Sequence, residues 1–376
     1  MQFVPIPAHQ PLKQQLIHVA QGNQVPHAQL FWGSEGSSQL SLALAFATYL
    51  NCQHRLADDA CGQCPSCRKM HKLIHPDVKF VFPTSATKHI AGKDVVSNSF
   101  LGPWRSFVHA HPYGSIGDWS GYIGSEHKQL AIPREEARHI AQHVSFKALE
   151  GTYKVVLVWL PEYLHPAAAN ALLSVLEEPP PHTIFLLASI APEKIMNTIR
   201  SRTQAIYVPA FTDEAITQLL TEHHTLAPEQ IASVVTLADG NVNKAFKLAV
   251  DVQGDDLERF ATWMRACYAQ NLSQLVVQAE AFQQLPREGQ RNFLAYALHM
   301  LREVLIMHVG PTSLARTTKT EQAFNQKLGQ TLTYPQLKCY VTWINQACNQ
   351  LTRNANAKLL WLDLSLRISR AFINAR

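Results

Sequence analysis

Lys154-Val155-Val156-Leu157-Val158-Trp159-Leu160 is an apolar run with no polar alternation, closed by Pro161. A strand of this kind has to be covered on both faces, as inside a parallel sheet. A helix-forming run over 167–178 follows and is stopped by Pro179-Pro180-Pro181. Then comes a second apolar strand, Thr183-Ile184-Phe185-Leu186-Leu187-Ala188, and a helix over 195–199 that leads to Ser201-Arg202-Thr203. Buried strands alternating with helices specify a doubly wound α/β domain, here ending near Pro209.

Working outward, residues 10–25 read as a helix with Leu12, Leu16, Ile17 and Ala20 on one face. Ala28-Gln29-Leu30-Phe31-Trp32 is a short strand, Gly33-Ser34-Glu35-Gly36-Ser37-Ser38 a Gly/Ser loop, and 40–50 an apolar helix. Strand, loop and helix in that order are the layout of a phosphate-binding loop. Pro133 opens a helix with Arg134, Glu135 and Glu136 in its first turn and Ile140 and Val144 on its apolar face. The intervening residues 80–130 are rich in Gly, Ser, Pro and aromatics, as in Gly102-Pro103-Trp104 and Pro112-Tyr113-Gly114, and read as an insertion or long loop. Thr212-Asp213-Glu214 starts a helix, and 212–250 reads as a small helical domain broken at Gly240. Helices are expected over 257–270, 272–285, 287–309, 334–353 and 356–374, with 310–320 a loop. The stripe Phe293, Leu294, Leu298, Leu301 and Leu305 serves an internal core first. No repeat of fixed period is present.

The 376 residues suggest two or three domains at about 150 residues each. With 47% apolar and 16% charged residues, the composition is globular and excludes a largely disordered chain. No apolar run approaches the ~18 residues of a membrane helix. The start, Met1-Gln2-Phe3-Val4-Pro5-Ile6-Pro7, lacks a basic segment and a long apolar one, so no secretory leader and a cytoplasmic location are expected. The net charge of +5 permits a nucleic-acid neighbour without requiring one; a solvated surface with a few extra Lys and Arg explains it equally.

Four of the seven cysteines, Cys52, Cys61, Cys64 and Cys67, are clustered as C-x8-C-x2-C-x2-C. In a reducing compartment such a cluster points to a metal site. Four thiolates with no open position imply a structural Zn²⁺. An iron–sulfur cluster uses the same ligands, and plain buried cysteines are the third reading. His71 and His75 lie near, but the cysteine shell is already complete. Cys267, Cys339 and Cys348 read as core or inert surface thiols.

A working phosphate loop reads G-x4-G-K-[ST]: its amides cradle phosphates, its Lys neutralises them and its hydroxyl holds Mg²⁺. Here Gly33 is followed, past Gly36, by Ser38, Gln39 and Leu40 in the positions of the second Gly, the Lys and the hydroxyl. Gln39 carries no charge and Leu40 cannot bind Mg²⁺. No Lys occurs between Lys13 and Lys69, so a shift of register restores nothing. A turn retained between strand and helix, without a nucleotide, fits these residues better.

The chain resembles the δ′-type clamp-loader subunits of bacterial DNA polymerase III, within the AAA+ superfamily. The resemblance is carried by His27-Ala28-Gln29-Leu30-Phe31, the four-cysteine module, His75-Pro76-Asp77 and Lys154-Val155-Val156. More specific are Ala167-Ala168-Ala169-Asn170-Ala171-Leu172-Leu173 with Leu176-Glu177-Glu178-Pro179-Pro180, and Arg200-Ser201-Arg202. Residues 354–367 are similar to the last collar helix. The resemblance implies an AAA+ α/β domain over 1–208 with a zinc module at 52–67 and an insertion over 80–130. It further implies a helical lid over 209–253 and a helical, oligomerising collar over 254–376. By the same resemblance Trp159 and Leu160 stand where active relatives end the strand in Asp-Glu, with Glu162 two residues beyond. Asn243, with Lys244 beside it, stands for the lid arginine. Three losses imply that this chain does not hydrolyse ATP.

The resemblance also implies that Arg202 projects toward a neighbour's ATP, with Ser201 orienting the turn and Thr203 replacing the family's Cys. A planar, permanent cation suits a developing phosphoryl charge; the alternative is a surface Arg capping its own helix or paired with an acid. The implied partners are ATPase motor and δ-type subunits, reached through the collar and AAA+ domains. The sliding clamp and primed DNA follow as contacts of the whole assembly within the polymerase holoenzyme, with Arg134, Arg138 and Lys147 as candidate phosphate contacts. Two rival functions are an ATP-hydrolysing motor subunit and a zinc-dependent DNA-binding protein. Against the latter, only Arg55, Arg68, Lys69 and Lys72 lie close to the cysteines.

Overall fold

The computed structural model describes residues 2–22, 24–88, 90–126, 128–251, 256–309, 319–352 and 355–373. The chain divides into two compact units, Met1–Gln218 with Gly240–Lys244, and Leu219–Asp239 with Ala245–Arg376. Unit 1 is built on a five-stranded parallel sheet of β1 (Ala28–Trp32), β2 (Val78–Val81), β3 (Lys154–Trp159), β4 (Thr183–Ser189) and β5 (Gln204–Tyr207). The order is β2-β3-β4-β1-β5. Leu30 pairs with Leu187, and Val156 with Phe185, so the apolar strands expected from the sequence lie at the centre, buried on both faces.

The two outer strands had no such signature. In β2, Lys79 interrupts the apolar run, yet it is buried because Glu136 meets it at 3.0 Å. In β5 only Ile206 is buried, as befits an edge strand.

The helices follow the expected periodicity with shifted ends. The first, Gln10–Gln21, buries Leu16, Ile17 and Ala20 but leaves Leu12 half-buried. Arg134–Ser145 buries Ile140 and Val144, and also Glu136, whose carboxylate accepts from the Ser97 amide at 2.8 Å as well as pairing with Lys79. Pro166–Glu177 begins one residue earlier than read. The helix placed over 195–199 is a short turn, Asn197–Arg200, after a 3-10 turn at Pro192–Lys194.

The largest departure is 80–130. Read as an insertion or long loop, it folds into Leu101–Ala110 and Ile116–Tyr122, preceded by 3-10 turns. Glycine and proline masked the helical period, and aromatic packing supplies what local propensity lacks. Trp104 stacks on Phe82 at 4.2 Å and Trp119 meets Phe82 edge-on at 5.3 Å, all three rings buried.

Unit 2 is helical. Pro228–Ala238 is joined by Asp256–Ala269, Leu272–Gln284, Arg287–Val309, Lys319–Thr331, Tyr334–Thr352 and Ala357–Ile373. Trp361 stacks on Phe282 at 4.4 Å, and Trp263 donates to Ser365 Oγ at 2.9 Å. Phe293, Leu294 and Leu301 enter this core, with Leu298 and Leu305 packed against it, as expected. Lys319–Thr331 falls in the stretch read as helical, although no separate helix was placed there. The loop expected at 310–320 lies outside the described residues up to 318, as do Asn354 and the helix ends placed at 353 and 374. Among the described residues no helix is long and apolar enough to cross a membrane.

Candidate functional site

In an open α/β sheet, ligands bind beyond the carboxyl ends of the strands. The crevice there is bounded by the loop and helix start after β1 (Gly36, Gln39, Leu40), by Trp159 and Leu160 at the end of β3, and by Ser189 and Ile190 at the end of β4. Both loop glycines are required. A Cβ on Gly33 would lie 2.2 Å from the Val208 carbonyl oxygen, and Gly36, at φ 77°, abuts the Asn241 side chain. The turn is tight, and its polar side chains are used internally. Gln39 turns inward, its amide donating to the Ser34 carbonyl at 2.8 Å, and Ser37 Oγ donates to the same oxygen at 2.7 Å. Ser38 and Leu40 are buried. No Lys or Arg is among the described residues that line the crevice.

No carboxylate stands at the end of β3 itself, which closes on Trp159 and Leu160. Trp159 and Leu160 line the crevice, and Leu160 holds a left-handed backbone at φ 56°. Glu162 is turned to the amides of Ile190 and Ala191, which donate to it at 3.0 and 3.1 Å. Burial nevertheless keeps its carboxyl above the ordinary glutamate range.

Sequence reasoning did not foresee what occupies the crevice. Pro112, Tyr113, Gly114, Ser115 and Ile116, from the 80–130 segment, form its remaining wall. The space left in the crevice is about 30 Å³, room for a water or two, where ligand sites measure roughly 300–1,000 Å³. Ser41 Oγ donates to the Pro112 carbonyl at 2.9 Å. Asn243 donates to the Asp118 carboxylate at 2.7 Å.

Cys52, Cys61, Cys64 and Cys67 come together with all four sulfurs within 4.8 Å of one another, Cys61 and Cys67 at 3.9 Å. About 3.8 Å is the sulfur spacing of a tetrahedral shell with metal–sulfur bonds of ~2.3 Å. Gly62, at φ 72°, makes the tight turn, and Cys64 caps the helix Pro65–His71. The amides of Cys61, Cys64 and Cys67 donate to Cys52, Cys61 and Cys64 sulfurs at 3.3, 3.3 and 3.4 Å. Burial raises the Cys61 thiol, but the amides of Gln63 and Cys64 and the neighbouring thiols outweigh it and bring it down to about 6. Burial and the thiols of Cys64 and Cys52 push Cys67 up, as expected where negative sulfurs crowd together. The donor set suits a metal ion that compensates this charge. Two of the basic residues nearby are engaged elsewhere: Arg55 caps the carbonyls of Tyr49 and Leu50, and Lys69 pairs with Glu150 at 2.5 Å.

Arg202 is partly exposed. Its guanidinium pairs with Glu177 at 2.5 Å and donates to the Thr198 carbonyl at 2.9 Å. Within the single chain, therefore, it is held by an acid and by its own turn, the alternative raised above. The pairing joins two motifs that lie apart in sequence, Leu176-Glu177-Glu178 and Arg200-Ser201-Arg202. Ser201 Oγ donates to the Thr198 carbonyl and Thr203 Oγ1 to that of Arg200, closing the turn. Arg134, Arg138 and Lys147 are exposed.

The motif His75-Pro76-Asp77 has a structural use. The Asp77 carboxylate is fully buried and accepts from the amides of Leu149, Glu150 and Gly151 at 2.7, 2.8 and 2.8 Å, with Lys154 Nζ at 3.6 Å.

Comparison with known proteins gives a consistent picture. The family described as DNA polymerase III, delta subunit, matches residues 8–212. The chain is 29% identical over 240 residues to the DNA polymerase III subunit tau of Bacillus subtilis, covering 62% of this chain and 35% of that protein. It is 26% identical over 253 residues to the DNA polymerase III subunit delta' of Escherichia coli, covering 67% of this chain and 62% of that protein. The match thus spans less than two thirds of either relative's length. A gamma subunit-related protein of Thermotoga maritima superposes with a TM-score of 0.41 at 13% identity, covering 95% of this chain and 99% of that one. With more than half its length matched by the family, and with the parallel sheet and helical second unit that the resemblance implied, this chain belongs to the DNA polymerase III delta subunit family.

Proposed function

We propose that the chain is a non-catalytic, δ′-type subunit of a DNA polymerase III clamp loader. On this reading it binds no ATP and presents Arg202 to the ATP of a neighbouring ATPase subunit while the sliding clamp is loaded on primed DNA. The observation that carries the reading is the crevice at the strand ends, which has no lysine or arginine among its described wall residues and about 30 Å³ of space. Phosphoryl transfer rests almost wholly on positioned cations and Mg²⁺ ligands, and Gln39, Leu40, Trp159 and Leu160 provide none. Arg202, by contrast, is a permanent cation near the surface. Its pairing with Glu177 is an exposed one, worth about 0–1 kcal/mol, so exchanging it for a phosphate costs little.

In this reading the four cysteines hold a structural Zn²⁺ that folds the 52–67 turn and takes no part in catalysis. Residues 209–253 act as a lid and 254–376 as a collar. The collar and the AAA+ domain meet the motor and δ-type subunits, in the cytoplasm, and Arg134, Arg138 and Lys147 approach DNA phosphates only in the complete assembly.

The test is reconstitution with the ATPase partners and Arg202→Ala. DNA-stimulated ATP hydrolysis and clamp loading should fall by at least about tenfold, since arginine fingers contribute ~10³–10⁵ in faster systems. Complex formation by size exclusion should be unchanged. An unchanged rate in an intact complex refutes the role of Arg202. Saturable MgATP binding by the isolated chain refutes the inert crevice.

A further inference from the structure

The crevice lacks phosphate chemistry and is also physically filled, and the filling is built with some care. Leu101–Ala110 and Ile116–Tyr122 form a helical hairpin whose connecting turn enters the space at the ends of β1, β3 and β4. Three rings anchor it. Trp104 and Phe107 pack on Trp159 at 5.1 and 6.1 Å, and Trp119 donates its indole N–H to the Pro83 carbonyl at 2.7 Å. The turn must be tight where it enters: a Cβ on Gly114 would lie 2.7 Å from Phe107 Cζ. Ser115 and Asp118 close a reciprocal cap on the second helix, and the same Asp118 carboxylate receives the Asn243 amide.

We propose that residues 101–122 are a built-in occupant of the nucleotide crevice, which excludes nucleotide by steric filling and supplies, through Asp118, the anion to which the 240–244 segment is hydrogen-bonded. This rests on the reading of the crevice as a degenerate nucleotide site and adds a separate cause for its silence. Trp159 supports the idea. In place of a carboxylate at the end of β3 stands the ring on which the occupant packs, so loss of the acid and seating of the hairpin use one side chain. The Ser41–Pro112 and Asn243–Asp118 hydrogen bonds and the three buried rings hold the turn that lines the crevice in its place.

The decisive experiment restores the chemistry and leaves the occupant in place. In the full chain, Gln39→Lys with Leu40→Thr returns the lysine and hydroxyl of a phosphate loop. Titration calorimetry with MgATP and MgADP is expected to show no saturable binding tighter than about 1 mM. Adding replacement of residues 102–121 by a short Gly/Ser turn to the same double variant is expected to bring binding below that limit by at least about tenfold. Binding by the double variant with the hairpin intact overturns the proposal while leaving the inert wild-type crevice standing; binding by the unmodified chain overturns the proposed function as well. A folded, shortened variant that still binds nothing also overturns the proposal, because the hairpin is then not what excludes nucleotide. Should the shortened chain not fold, hydrogen exchange on the unmodified protein decides. Amides of 101–122 protected as strongly as those of β3 support a seated occupant, and exchange at unfolded-chain rates refutes one.

Discussion

Replacing Asp77 by alanine should be among the most damaging single changes in unit 1, although it touches neither the crevice nor the cysteines. The carboxylate is fully buried, accepts three amide hydrogen bonds from 149–151, and is the ion partner of the buried Lys154 at the start of β3. Its removal leaves an uncompensated ammonium and three unpaired amides. Breaking a buried pair from one side costs about 3–5 kcal/mol. For a unit of this size each kcal/mol shifts the midpoint by ~2–4 °C, so thermal unfolding should move down by about 6–20 °C. Asp77→Ala with Lys154→Met removes both charges and should recover part of the loss. The pH dependence is fixed in sign. Burial raises the Asp77 carboxyl, but the amides of Glu150, Gly151 and Leu149 and the Lys154 charge outweigh it and hold it below the ordinary range. A group lowered on folding contributes stability that is complete above its unfolded value, ~3.9, and is lost as pH falls through the folded one. Wild type should therefore keep this contribution down to about pH 4, and Asp77→Asn should show a flatter acid limb. Unfolding followed by circular dichroism from pH 3 to 7 reads both effects. A loss under about 1 kcal/mol for Asp77→Ala, or a double variant worse than either single one, would refute the reasoning.

Other outcomes follow from the same contacts. Chelation should release one metal ion per chain, and because structural zinc contributes of order 10 kcal/mol to small folds, amides over 52–71 should exchange much faster; unchanged protection would count against a metal site. Trp104→Ala, in the centre of the ring cluster, should destabilise by about 3–5 kcal/mol and loosen 101–122 in hydrogen exchange, whereas a change under 1 kcal/mol would mean the hairpin is not anchored there. Glu136→Gln alone should cost about 3 kcal/mol or more by stranding Lys79, and Lys79→Met with Glu136→Leu should be nearer to wild type in urea unfolding. Arg202→Ala should change the stability of the isolated chain by less than about 1 kcal/mol, so that any loss in the assembly reports on its role and not on folding.

The central strands and the cysteine cluster were legible in sequence because each is a short-range pattern. Apolar runs such as 154–160 need no partner to be recognised, and C-x2-C-x2-C already brings sulfurs toward one point. Gln39 and Leu40 announce their lack of charge wherever they are placed. What tertiary structure alone decided is long-range. Lys79 could become part of β2 only because Glu136, 57 positions on, neutralises it, and β5 is a strand only because β1 lies beside it. Arg202 meets Glu177 across a strand and two turns. The fold of the 80–130 segment stayed hidden for the same reason: with glycines and prolines breaking its helical period, it is set by rings at 82, 104, 107, 119 and 159. Those rings find one another only when the sheet has already brought the ends of β2 and β3 together.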